Sequence, residues 1–86
     1  MRVHIPTALR SYTDQVPSVE IRGKTVGALI DALERKYPGF RFRILDETGR
    51  VREHIKILVD ALMVEDLATP VSSTQELHIV MALSGG

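Results

Sequence analysis

The chain contains no cysteine, which excludes a disulfide framework, a thiolate metal site and a thiol nucleophile. It has no excess of charge of either sign. Eleven basic residues balance eleven acidic ones, so there is no electrostatic reason to expect nucleic acid or an anionic membrane as partner. No long apolar run is present, and the longest falls far short of the roughly 20 residues a membrane helix needs. The opening Met1-Arg2-Val3-His4 lacks the apolar stretch of a secretory leader, which makes the cytoplasm the default expectation. Repeats, low-complexity tracts and linkers are missing as well. What remains is a short chain, 44% hydrophobic and 26% charged, a balance that describes one soluble domain over residues 1–86. A domain of this size buries only about 60–65% of the surface its unfolded chain exposes, so its core is modest.

Within that chain the apolar residues fall into short periodic groups. Val3 and Ile5 alternate with Arg2 and His4, the period of a half-buried strand that Pro6 ends or bends. Ser11 to Asp14 is polar and reads as a turn, and residues 16–21 read as a second strand with Val19 and Ile21 inward, paired with the first as a hairpin. Thr25 is placed to cap a helix. Val26, Leu29, Ile30, Leu33 and Tyr37 make one apolar stripe along it, and Pro38-Gly39 stops it. Residues 40–53 show no clean period; they read as a long irregular connection with at most one helical turn and a tight turn at Asp46-Glu47-Thr48-Gly49. Ile55, Ile57 and Val59 mark a further strand, Leu62-Met63-Val64 a short one, residues 67–74 a loop broken by Pro70, and Leu77, Ile79 and Met81 a last strand. One helix with one apolar stripe covers one face of one sheet and no more. The expected class is α+β, a ubiquitin-like β-grasp with a mixed sheet of four to five strands covered on one face by one main helix. The other face is left to water.

The tail carries the main chemical signal. Ser84-Gly85-Gly86 reads as a free segment with nothing to pack, and a random chain ends in two glycines only about once in 200 cases. Two residues without Cβ make a backbone thin enough to thread a narrow channel. The carboxylate of Gly86 can then reach the α-phosphate of a nucleotide, where adenylation converts a poor electrophile into a mixed anhydride.

With these features in place the sequence resembles the ThiS/MoaD family of bacterial sulfur carriers. The likeness rests on Ile5-Pro6-Thr7-Ala8-Leu9-Arg10, on Gly23-Lys24-Thr25-Val26 at the helix start, and on Leu77-His78-Ile79-Val80 leading to Gly85-Gly86. It runs nearly the whole length. The Ile-Pro-Thr-x-Leu-Arg opening is most similar to carriers that supply a pyridoxal-phosphate-dependent cysteine synthase, whereas Met81 and Ser84 stand where many members have proline and alanine. The resemblance implies that an E1-like enzyme consumes ATP to adenylate Gly86, after which sulfur displaces AMP and leaves a C-terminal thiocarboxylate. Gly85 and Ser84 thread the enzyme, and no cofactor is permanently bound. The implied acceptors are enzymes such as the cysteine synthase or the large subunit of molybdopterin synthase. A ubiquitin-like modifier joined to lysines through Gly86 is the alternative, since both begin with the same adenylate. Lacking cysteine, the chain must carry any sulfur on something other than a side-chain thiol.

Period two also places Leu58, Val80 and Ala82 on the open side of the sheet, opposite Ile57 and Ile79. Their coincidence beside the tail marks a docking surface for the activating enzyme, the face that the family uses. Other signals lead nowhere. Gly23-Lys24-Thr25 resembles the end of a phosphate-binding loop, but Ser18 stands where that motif needs glycine. His4 and His78 become neighbours if the first and last strands pair, yet two histidines with no third ligand do not make a metal site. His54 reads as a loop residue. Arg41, Arg43, Arg50 and Arg52 are offset by Asp46, Glu47 and Glu53 and read as a solvated loop. Nothing places a base and an orienting carboxylate around a nucleophile, so the chain is expected to be a carrier and not an enzyme.

Overall fold

The structure, a computed structural model, describes residues 1–82. It contains β1 (Arg2–His4), a 3-10 helix (Thr7–Thr13), β2 (Ser18–Glu20), α1 (Val26–Lys36), α2 (Phe40–Ile44), β3 (Ile55–Val59), β4 (Leu62–Val64) and β5 (Glu76–Met81). The five strands form one sheet in the order β2-β1-β5-β3-β4. Pairing is antiparallel throughout except between β1 and β5, which run parallel. This is the β-grasp expected from the order of the elements.

Each strand delivers its alternate residues to the same side. Val3, Val19, Ile55, Ile57, Val59, Leu77 and Ile79 are buried there against Val26, Leu29, Ile30 and Leu33 of α1. Thr25 caps the helix as its position demands, its Oγ1 accepting from Ala28 N at 3.1 Å. The preceding orphan donors find loop carbonyls: Val26 N–H donates to Thr69 O at 3.0 Å and Gly27 N–H to Leu67 O at 2.8 Å. Residues 67–69 are thereby stitched to the helix start. Tyr37 is a half-buried C-cap residue and not the last member of the buried stripe.

Three local expectations need correction. The segment read as a polar turn is a 3-10 helix, because Pro6 O accepts from Leu9 N at 2.9 Å and Leu9 and Thr13 are buried. Thr13 is the one buried polar side chain among the described residues, and its Oγ1 lies within reach of the carbonyls of Arg10 and Val16. The chain then turns back through Asp14 and Gln15, both at positive φ, so β2 begins only at Ser18. The irregular connection is the second correction. Its short helix α2 turns Phe40 and Ile44, four residues apart, into the core together with Leu45. Gly39, at φ +98, makes the reversal between the two helices, and the Glu34 carboxylate accepts from Gly39 N and Arg41 N. Thirdly, Met81, the last residue of β5, is only half-buried where it packs against the core.

Candidate functional site

The candidate site is built on β5. This strand is central, hydrogen-bonded to β1 on one side and to β3 on the other. Its register is therefore set twice, and a slip would move Leu77 and Ile79 out of the core. Ala82 N–H, at the end of the described residues, donates to His54 O at 2.8 Å. Ser84, Gly85 and Gly86, the residues to which the sequence assigns the chemistry, lie outside the described residues.

On the open face the strand register lines up a row of side chains. Ser18, His4, His78, Leu58 and Met63 are successive partners from β2 to β4. Val80 lies one step further along β5, opposite Lys56. The outward placement of Leu58, Val80 and Ala82 is as the alternation requires. Exposure differs among them: Val80 is 44% exposed and Ala82 is exposed, whereas Leu58 is half-buried between His78 and Met63. Met63, 60% exposed, extends the apolar row and was missed in the sequence. Leu62-Met63-Val64 is apolar throughout, so no alternation shows which residue faces out. The signal that finds it is its pairing opposite Leu58. Leu62, opposite Val59, points to the helix side yet is 74% exposed because β4 is the sheet edge.

Polar groups occupy the other end of the same face. His4 and His78 are neighbours, with ring centroids 4.3 Å apart and planes inclined by 3°. His4 Nε2–H donates to Glu76 Oε1 at 2.5 Å. That hydrogen bond, aided by the nearby positive charge of Arg2, holds the Glu76 carboxyl below its usual range. The third potential ligand, missing from the sequence reading of the histidines, is thus Glu76, two residues before His78 on the same face of β5.

The arginines are not a merely solvated loop. Arg41 Nε pairs with Asp31 at 3.2 Å, Arg43 stacks on Tyr12 at 4.8 Å, and Arg52 covers Phe42 at 4.6 Å while donating to its carbonyl. The start of α1 offers no phosphate cradle, because the N–H groups of Val26, Gly27 and Ala28 already have partners. Among the described residues no hydroxyl is hydrogen-bonded to a histidine. No helix among them is long and apolar enough to cross a membrane.

Sheet order, single covering helix and open face define a ubiquitin-like β-grasp protein. The ThiS family model matches residues 3–86, and the chain belongs to that family. It is 35% identical over 89 residues to the sulfur carrier protein CysO of Mycobacterium tuberculosis, covering 98% of this chain and 96% of that protein. The fold agrees with a chain of the Amycolatopsis orientalis BexX/CysO complex at a TM-score of 0.92 and 33% identity, covering 99% of this chain and 98% of that one. The small archaeal modifier protein 1 of Methanosarcina acetivorans is more distant, at 0.80 and 26%, covering 99% and 94%.

Proposed function

We propose that this chain is a sulfur carrier and not a catalyst, with the carboxylate of Gly86 as its reacting group. An E1-like enzyme joins that carboxylate to the α-phosphate of ATP and releases pyrophosphate. A sulfur nucleophile supplied with the enzyme then attacks the acyl carbon, AMP leaves, and a thiocarboxylate remains. Leu58, Met63, Val80 and Ala82 dock the partner, and Ser84 and Gly85 thread its channel. An acceptor enzyme afterwards takes the sulfur; a pyridoxal-phosphate-dependent cysteine synthase or the large subunit of a molybdopterin synthase fits this role. The observation that carries the reading is near-full-length identity to a protein named as a sulfur carrier, together with a family match that runs through residue 86.

The likeness to an archaeal modifier supports a second outcome in which the adenylate is captured by a lysine of another protein. Intact mass spectrometry of the protein isolated from its native cells separates the two. A carrier gains the mass difference between sulfur and oxygen at its C-terminus. A modifier appears in heavier conjugates that retain Gly86. Finding neither form in cells that make the activating enzyme would overturn the terminal-carboxylate chemistry.

A further inference from the structure

We infer that His4, His78 and Glu76 form a binding site for a divalent transition-metal ion of the zinc class on the open face of the sheet, with one coordination position left free. The backbone arrangement comes from the only parallel pairing in the sheet. His4 and His78 are directly opposite each other across β1 and β5. Glu76 shares their face because strand side chains alternate with period two. One ligand atom from each residue lies within 4.8 Å of the others. Donors about 2.0–2.1 Å from a tetrahedral zinc ion stand about 3.3 Å apart. The His4–Glu76 pair, at 2.5 Å, must open to that spacing and any wider separation must close, adjustments open to side-chain rotation by two half-exposed imidazoles and an exposed carboxylate.

The donor set decides the class of ion. Two imidazoles and one carboxylate suit zinc and its neighbours in the first transition series, and three protein ligands leave a position open. Calcium and magnesium demand oxygen donors and are disfavoured. The nearest opposing charge is already engaged: Arg2, opposite Glu76 in the register, pairs with Glu20 at 3.6 Å. Glu76 is held against His4 by their hydrogen bond, which places a carboxyl group and an imidazole side by side before any ion arrives. The His4–Glu76 hydrogen bond is exchanged for metal ligation: Nε2 gives its proton to water and Nδ1 takes one up, so that the imidazole binds as the neutral ring. Because Leu58 flanks His78 on β3, a bound ion would sit at the edge of the apolar docking row. The site uses no residue of the tail, so it stands or falls independently of the carrier reading.

The test is calorimetric titration of the purified full-length protein with zinc chloride, with imidazole NMR signals followed in parallel. One ion per chain should bind at micromolar zinc, shifting the signals of His4 and His78 while leaving those of His54 in place. His54 is exposed and lies just before β3, four positions from Leu58, the residue opposite His78. Glu76→Gln, which preserves size, should raise Kd about 10–100-fold, as should His78→Ala. His54→Ala should leave Kd unchanged. Circular dichroism checks that the variants fold; the wild-type shift map and Glu76→Gln decide the matter if His78→Ala does not. Absence of saturable binding, or an affinity indifferent to Glu76→Gln, would overturn the site.

Discussion

Replacing Val80 with aspartate tests whether the open face is a docking surface. Val80 retains 44% exposure in the free protein. Full burial of a valine side chain is worth about 1.5–3 kcal/mol, so the fraction still open offers a partner about 0.7–1.3 kcal/mol. The variant forfeits that gain and brings a carboxylate to an apolar contact, at a further cost of about 1–3 kcal/mol. Lys56 directly opposite offsets part of this, because an exposed pair recovers about 0–1 kcal/mol. The net loss of affinity is about 0.7–4 kcal/mol, or roughly 3- to 1,000-fold in Kd. Stability should change by less than about 0.5 kcal/mol, since the position faces away from the core and Lys56 accepts the new charge. The assay is calorimetric binding to the activating enzyme beside urea unfolding of the same samples. Lys24→Ala, exposed at the start of α1, is the control and should alter neither. Unfolding of the Val80→Asp domain would contradict the register of β5. Unchanged affinity would remove the open face from docking and leave the tail and charged residues to do it.

Leu33 is fully buried in the middle of the α1 stripe, so Leu33→Ala should cost about 2–4 kcal/mol in urea unfolding, and a loss under about 1 kcal/mol would contradict the packing. The Glu34 carboxyl is held below its ordinary value of 4.5, first by the N–H of Gly39 and then by that of Arg41. A depressed folded pKa contributes stability that is complete above the unfolded value and lost as pH falls through the folded one. Glu34→Gln should therefore flatten the fall in stability below pH 4.5, and an unchanged acid limb would show that the carboxylate does not cap α2. Deleting Gly86 should abolish ATP–pyrophosphate exchange with the activating enzyme while leaving docking affinity and unfolding intact; normal exchange by the truncated chain would refute the proposed reacting atom.

What could be read without coordinates was whatever left a periodic trace. The α1 stripe, its Thr25 cap and the inward residues of β3 and β5 were legible because each has a solvent side and a core side. The buried pair Phe40 and Ile44 was not, because in the five-residue α2 three apolar residues alternate with Arg41 and Arg43, and nothing local separates the buried pair from the exposed Phe42. Its cap is also non-local, since Glu34 reaches it from the preceding helix. The 3-10 helix was hidden for a similar reason, Leu9 being its only buried apolar residue. In the site, alternation put Leu58, Val80 and Ala82 on the open face but could say nothing about neighbours across strands. Met63 beside Leu58 and Glu76 beside His4 are products of register. Register between distant strands is set by the whole sheet and not by any local run of residues.

In the proposed mechanism the same register lets the open face act as a measuring device. A partner that grips Leu58, Met63 and Val80 holds the central strand, which is tied on both sides and cannot slide. Ala82 is then fixed relative to the grip by the His54 carbonyl. Four residues separate it from the reacting carboxylate, a reach of at most about 14 Å when fully extended. The nucleotide of any enzyme docked on this face must therefore lie within that radius of Ala82, on the side toward which β5 runs. Docking and chemistry become one geometric problem, with the rigid strand setting the origin and the two glycines allowing the approach. This accounts for the division of labour along the chain. The described residues bury their apolar side chains and tie the central strand on both sides, and the proposed chemistry is left to the C-terminal residues.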